Sequence, residues 1–181
     1  MISGHRYFAI AGMLILSACA GAVSDVLVNI PRHQPPEGTS ELKEVASTTI
    51  RVSEFRQTLG TGVLPGRIGE RKTIGDISMG LVTIKPTPSR LVRDAFAAEL
   101  EAAGHRQVSS GENALIEGQV QKFHLHTDVT ALYWDVIVNT AVSATIRVGA
   151  SEQMSNYAAV CKERTYSWPS EEIMARVTCP P

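Results

Sequence analysis

The stretch from Tyr133 to Val148 alternates between apolar and polar residues, which predicts a long β-strand with one buried and one solvated face. The apolar residues on the buried face are Trp134, Val136, Val138, Val142, Ala144, Ile146 and Val148. The polar residues expected on the solvated face are Asp135, Asn139, Ser143, Thr145 and Arg147. The pattern therefore predicts a sheet with one side packed on a core.

The preceding stretch, from Ala114 to His126, is also predicted to form a strand, but its alternation changes phase half-way along. Phe123 and Leu125 are out of phase with the apolar residues before them. Because the side chains of a strand alternate with a period of two, one extra residue would return both to the buried face. We therefore predict a β-bulge near Gln121.

A helix is predicted from Thr87 to Ala103, because apolar residues recur there at intervals of three and four. The apolar stripe consists of Val92, Phe96, Leu100 and Ala103. Pro88 suits the first helical position, and Gly104 suits the left-handed conformation that commonly follows a helix. A stripe of this kind is usually part of a core, so the helix is expected to pack on the sheet.

Shorter elements complete the predicted fold. Further strands are predicted at Thr48–Phe55, Ile77–Ile84, Gln107–Ser109 and Tyr157–Trp168, the last of them after a polar loop over Ser151–Asn156. Ser170 is a suitable N-cap for a short final helix. These elements predict an α+β fold in which an antiparallel sheet of about four to five strands carries one long and one short helix on one face.

A glycine-rich span from Gly60 to Gly75 is predicted to be a mobile surface connection. It contains a basic cluster of Arg67, Arg71 and Lys72, which could bind an anion. However, the span lacks the spacing of glycines and lysine that is typical of a phosphate-binding loop.

The N-terminus has a short basic start, an apolar run from Tyr7 to Leu16, and the small residues Ser17 and Ala18 before Cys19. This arrangement is typical of a secretory signal peptide and is too short for a membrane-spanning helix. Leu16 to Cys19 also resembles the lipobox of bacterial lipoproteins. The resemblance implies that Cys19 is the lipid attachment site, with a diacylglyceryl group on its thiol. The alternatives are an ordinary cleaved signal with an incidental cysteine and a small apolar helix.

The lipobox implies three segments along the chain: a signal peptide at residues 1–18, a tether at 19–47 and an α+β periplasmic domain at 48–181. Three prolines and a glycine interrupt the tether, at Pro31, Pro35, Pro36 and Gly38. Within it, Val26 to Ile30 is apolar enough to form a short strand or to pack on the domain.

Composition excludes one class of partner and leaves the cysteines open. The formal net charge of the 181-residue chain is −1, so no electrostatic footprint for nucleic acid is present. If Cys19 is acylated, Cys161 and Cys179 remain in an oxidising compartment where a disulfide would persist. The alternative is two separate thiols, because the sequence does not show whether their Cα atoms are close enough to bridge.

Candidate chemistry is sparse, and we predict neither an enzyme nor a bound cofactor. His124 and His126 point to the same face of a strand and could bind a metal with Asp128, but polar surface is the more common role of such a pair, so no metal site is predicted. No pattern typical of a serine or cysteine nucleophile is present. The aromatic pair before Asp135, Tyr133 and Trp134, could bind a peptide or glycan, although closing the edge of the core is the more common role.

The chain resembles the YajG-type family of uncharacterised bacterial lipoproteins in the lipobox, the Thr48–Phe55 strand, the helix that ends at Gly104, the hairpin around Tyr133–Asp135 and the Trp168–Glu171 helix start. The family implies a small α+β envelope protein without an agreed biochemical activity. Auxiliary lipoproteins of envelope ABC transporters are relatives in general architecture. The present chain departs from the family pattern because Thr178 to Pro181 end the last helix early.

These observations predict a membrane-anchored protein on the periplasmic face of the outer membrane, with the inner membrane as the less favoured location. Its expected role is non-enzymatic, as an accessory or binding component of the envelope, with an envelope protein as a candidate partner. The first alternative is an auxiliary lipoprotein of a lipid or solute transport assembly of the ABC type. The second alternative is an envelope hydrolase.

Overall fold

A computed structural model describes residues 24–36, 46–58 and 63–178. In these ranges the chain forms nine strands and two short helices. The strands are β1 (Val26–Asn29), β2 (Thr49–Val52), β3 (Arg56–Gln57), β4 (Arg67–Thr73), β5 (Ile77–Lys85), β6 (Arg106–Gln107), β7 (Ala114–Val129), β8 (Trp134–Val148) and β9 (Ser151–Thr165). The helices are α1 (Pro88–Ala102) and α2 (Glu171–Val177).

Strand β7 organises the sheet because it is long enough to pair along both edges. One edge pairs antiparallel with β8 over its full length, and β8 pairs in the same way with β9. The other edge pairs in parallel with β2, β3 and β4 in turn. Strand β4 then pairs antiparallel with β5, and β5 pairs in parallel with β1.

The prediction of an antiparallel sheet of four to five strands with one long and one short helix is therefore wrong. The structure has a mixed sheet of nine strands, and five of the strand pairs are parallel. Alternation along one strand shows which side chains are buried, but it carries no information about which distant segment pairs with that strand. The pattern therefore could not predict that β2, β3 and β4 pair with the second edge of β7.

The bulge predicted near Gln121 is confirmed. Val120 pairs with Val142, and the next residue of β7 in register is Lys122, which pairs with Ala141. The extra residue returns Phe123 and Leu125 to the face that carries the earlier apolar residues of β7, and both are buried.

Both helices lie on the buried face of the β7–β8–β9 meander. Helix α1 begins after Thr87 and is followed by Gly104 at a φ of +91°, as its sequence predicts. Helix α2 begins at the predicted cap, where the Ser170 side chain accepts a hydrogen bond from the Ile173 amide at 3.4 Å. The core joins both helices to the sheet through residues such as Val28, Ile50, Phe55, Leu125, Val138 and Met174.

The predicted surface connection from Gly60 to Gly75 contains a strand. Strand β4 passes so close to β7 that a Cβ atom at Gly69 would lie 1.8 Å from the carbonyl oxygen of Leu125. Glycine is needed there because the two backbones are too close together for a side chain. In the sequence, such a glycine looks the same as a glycine that marks a loop. The polar loop predicted over Ser151–Asn156 is also wrong, because β9 begins at Ser151 directly after a turn.

Part of the predicted tether belongs to the folded domain. Residues Val26 to Asn29 form β1, which pairs with the edge of β5 that does not pair with β4, and Val28 is completely buried. Neither of the helices in the described ranges is long and apolar enough to cross a membrane.

Candidate functional site

An apolar cleft of about 520 Å³ lies between α1 and the β7–β8–β9 meander. The helix contributes Leu91, Val92, Ala95 and Phe96 to one wall. The sheet contributes Phe123, Thr140, Val142, Tyr157 and Ala159 to the other. A volume of this size, with almost no polar groups in the lining, is typical of a pocket for a small apolar ligand.

The cleft exists because small side chains face each other across it. Ala95 is the central residue of the helix wall, and the Ala159 side chain lies on the cleft face of β9, opposite Thr140, whereas the Ala158 side chain points to the other face of the sheet. An alanine has no atoms beyond Cβ, so helix and strand do not fill the space between them. Sequence reasoning assigned the helix stripe to the core and missed the cleft; the small residue Ala159 on the inner face of β9 was the available signal.

An aromatic row closes one side of the cleft. The rings of Phe55 and Phe96 stack with centroids 5.3 Å apart, and Phe96 meets Tyr157 edge to face at 6.2 Å. Phe55 is buried directly over Gly118, where a Cβ atom would lie 2.1 Å from the Phe55 ring. The position of the Phe55 ring in this row therefore depends on Gly118, because any larger residue there would displace Phe55.

A polar pair marks the rim of the cleft. The ring Nε2 of His33, in the segment that follows β1, lies 2.5 Å from the Glu99 carboxylate of α1. The His33 side chain is 10% exposed and that of Glu99 is 34% exposed. The contact connects the segment after β1 to α1, and Glu99 is the one charged residue among those that line the cleft.

The histidine pair lies on the opposite face of the sheet from the cleft. The rings of His124 and His126 stack with centroids 5.8 Å apart, and Asp128 lies 3.9 Å from His126 Nε2. Partial burial, followed by the charges of His126 and Lys122, lowers the pKa of the His124 ring. No group of three or more metal-binding side chains occurs in the ranges that the structure describes.

Asp135 was expected to face solvent, and that expectation is wrong for its side chain, which is only 6% exposed. Two cations from β9 cover it: Arg164 donates two hydrogen bonds, at 2.8 and 3.0 Å, and Lys162 lies at 2.6 Å. Hydrogen bonds from Arg164 first and Lys162 second lower the pKa of Asp135 to about 2.

Both aromatic residues before Asp135 have partners within the domain. The guanidinium of Arg164 lies 3.8 Å from the centre of the Tyr133 ring, a cation–π contact. Trp134 packs edge to face on Trp168 at 5.8 Å. Trp134 therefore packs beside the segment that leads into α2, whereas Tyr133 packs on the arginine that also binds Asp135.

Two members of the basic cluster of Arg67, Arg71 and Lys72 have partners within the domain. Arg71 is buried, donates to the carbonyl oxygens of Ser24 and Met79, and stacks on Trp168 at 5.0 Å. Burial lowers the pKa of its guanidinium. Lys72 lies beside two carboxylates, those of Glu70 and Asp76.

Two of the three predicted cysteine positions, Cys19 and Cys179, lie outside the described residues. Cys161 lies in β9 and packs against the core. Arg176 of α2 donates to Glu163 of β9 at 2.6 Å, so the end of α2 lies beside the strand that carries Cys161. Lipid attachment at Cys19 and a Cys161–Cys179 disulfide both stay predictions.

No protein-family model and no curated protein match the chain. Among solved structures, a Xanthomonas campestris protein of family DUF330 is similar over 84% of this chain and 87% of its own, with 10% identity and a TM-score of 0.56. An uncharacterized protein is similar over 85% and 88%, also at 10% identity, with a TM-score of 0.51. A Neisseria meningitidis lipoprotein covers 72% and 93% at 13% identity and a TM-score of 0.37.

The first two similarities show that the fold recurs in other proteins, and at 10% identity they show the fold alone. None of the three chains is described as a YajG-type lipoprotein, so that resemblance stays a prediction. The function must be argued from the cleft and from the N-terminal sequence.

Proposed function

We propose that the chain is a lipid-anchored protein of the bacterial envelope that holds the apolar chain of a lipid in the cleft under α1. Its role is to bind, and it catalyses no reaction. The observation that carries the proposal is the cleft itself: about 520 Å³ of space with an aromatic and aliphatic lining. A folded protein usually fills such a space with its own side chains, because an empty apolar cavity costs free energy.

An acyl chain fits the chemistry of this site better than a polar ligand does. The lining offers few hydrogen-bond partners, and each methylene moved from water into such a site contributes about 0.8 kcal/mol. Glu99 is the one charged residue in the lining, and its side chain is 34% exposed, so a lipid headgroup beside it would meet solvent. A sugar or a peptide backbone would lose its hydrogen bonds to water here without replacing them.

The N-terminal sequence supports an anchor close to the domain. Four residues lie between Cys19 and Ser24, the first described residue, so the two Cα atoms are five steps apart and at most about 18 Å apart in a fully extended chain. A lipid on Cys19 would therefore keep the β1 edge near the membrane, on the periplasmic face of the outer membrane by the lipobox resemblance. The intact mass of the membrane-extracted chain tests the anchor: the predicted mass lacks residues 1–18 and includes a diacylglyceryl group.

Two neighbouring substitutions on β8 test the cleft, because consecutive residues of a strand face opposite sides of the sheet. Thr140→Trp places an indole in the cleft, whereas Ala141→Trp places the same ring on the opposite face. Binding of a fluorescent fatty acid is measured by titration with a detergent-free chain that begins at residue 20. Thr140→Trp should raise the dissociation constant at least about tenfold. Excluding two methylene groups of the acyl chain from the cleft already removes about 1.6 kcal/mol of binding free energy.

Ala141→Trp should bind the fatty acid like the unsubstituted chain. Absence of saturable binding by the unsubstituted chain, or equal binding by both variants, would contradict the proposal.

An auxiliary role in a lipid transport assembly is the second candidate. A cleft that holds an acyl chain beside the membrane suits a protein that receives lipid from a transporter or passes it on. In-cell crosslinking that recovers a permease or channel subunit would favour this candidate, and recovery of the anchored protein alone would count against it.

A further inference from the structure

The outer edge of β9 is a long, open strand edge. Among the described residues, β9 pairs with β8 alone, and that pairing runs from Ser151 to Thr165 without an interruption in register. From Gln153 to Val160, the backbone groups that point away from β8 have no strand partner in the described part of the chain. An edge of this kind is a ready template for another strand.

This edge also lacks the usual protection against pairing. Soluble proteins commonly place charges, proline or a bulge on an exposed edge strand. Here the nine residues from Gln153 to Cys161 carry neither charge nor proline. Three large side chains in this run are mostly exposed: Met154 at 65%, Tyr157 at 51% and Val160 at 68%.

The sequence of β9 is complementary to itself when two copies run antiparallel with Tyr157 opposite Tyr157. A residue that comes a given number of positions before Tyr157 in one copy is then opposite the residue that comes the same number of positions after Tyr157 in the other copy. Met154 of one copy meets Val160 of the other, and Glu152 meets Lys162. Each contact occurs twice, because the arrangement has a twofold axis.

We propose that two copies of this chain pair through β9 in this register and form one continuous sheet across the dimer. The pairing covers the exposed Met154 and Val160 on the face away from the helices. On the opposite face, the two Tyr157 side chains meet where each cleft is bounded by β9, so the dimer brings two clefts together.

Charge complementarity favours a second copy over a foreign strand. Glu152 and Lys162 are 54% and 49% exposed at their side chains, although each also contacts a charged group of its own chain. In the proposed register they are opposite each other on the same face, the arrangement that stabilises cross-strand pairs. Like charges would meet instead if two such edges ran parallel in register.

Cysteine crosslinking of the full chain in its native membrane tests the register. Directly opposed residues of an antiparallel pair have Cα atoms about 4.5–5.5 Å apart, within the range that a disulfide bridges. Tyr157→Cys should give a covalent dimer, identified by a mass of two chains. Met154→Cys and Val160→Cys should crosslink when the two variants are co-expressed with different tags, and neither should crosslink when expressed alone.

The unsubstituted chain and Leu132→Cys, which lies in the exposed β7–β8 turn, supply the background for that crosslinking. Val160→Lys should abolish the Tyr157→Cys dimer band by placing a charge in the interface, whereas Val148→Lys, at an exposed position outside it, should preserve the band. Loss of the band at all the paired positions, with the circular dichroism spectrum unchanged, would overturn the proposal. A crosslinked product with the mass of a different protein would overturn it too.

Discussion

At the scale of single residues, the clearest departure from the predicted pattern is Asp135. Alternation placed this residue on the solvated face, and it does point to that face, but Lys162 and Arg164 of β9 cover its carboxylate. The sequence could not show this, because the covering residues come from a strand whose register with β8 was unknown. A polar position in an alternating strand can therefore carry a carboxylate that is buried beneath partly exposed cations.

The Asp135 cluster predicts a pH-dependent loss of stability. The folded-state pKa is lowered from 3.8 to about 2, so the ionised carboxylate stabilises the fold above pH 3.8, and this contribution is lost as the pH falls through about 2. Asp135→Asn should lower the free energy of unfolding at neutral pH. The difference from the unsubstituted chain should shrink between pH 4 and pH 2, measured by urea denaturation.

Asp128→Asn is the matched control for Asp135→Asn, since its carboxylate is 66% exposed. It should change the free energy of unfolding little at any of these pH values. A constant difference for Asp135→Asn across the whole pH range would show that ionisation of this residue does not stabilise the fold.

At the scale of elements, the sequence predicted those features of helices and strands that depend only on neighbouring residues. The start and end of α1, the cap of α2 and the bulge at Gln121 each depend on a few neighbouring residues, and each was visible in the sequence. Strand β4 was not predicted, because the glycine at position 69 is required by a close contact with Leu125, which is distant in the sequence. The cleft was missed for the same reason, since its walls come from α1 and β9.

Helix α2 is too short to be stable by itself, so it must depend on its packing. Met174 supplies that packing and is completely buried. Met174→Ala should reduce the free energy of unfolding by about 2–5 kcal/mol, the usual cost of removing a large buried side chain. Urea denaturation measures the loss, and Leu132→Ala, at a position that is 76% exposed, should stay within about 0.5 kcal/mol of the unsubstituted chain.

A loss as small as that of the control would mean that α2 is not part of the cooperative core. The helix would then contribute little to holding β1 and β9 together, although it contacts both strands.

At the scale of the whole molecule, the proposals connect the anchor to the cleft. A lipid on Cys19 would keep the domain within about 18 Å of the membrane at Ser24. The segment after β1 then carries His33 to the rim of the cleft, where it contacts Glu99. With the proposed anchor, the first described part of the chain would link the membrane-proximal end of the domain to the site that we propose for an acyl chain.

Photo-crosslinking tests the lipid-binding cleft most directly. A phospholipid that carries a photoactivatable group near the end of one acyl chain is incorporated into membranes that contain the full chain, and the crosslinked peptides are mapped by mass spectrometry. We predict crosslinks at residues that line the cleft, such as Phe96, Phe123 and Tyr157, and their loss in Thr140→Trp but not in Ala141→Trp. Crosslinks confined to the outer surface of the domain, or unchanged by Thr140→Trp, would contradict the account.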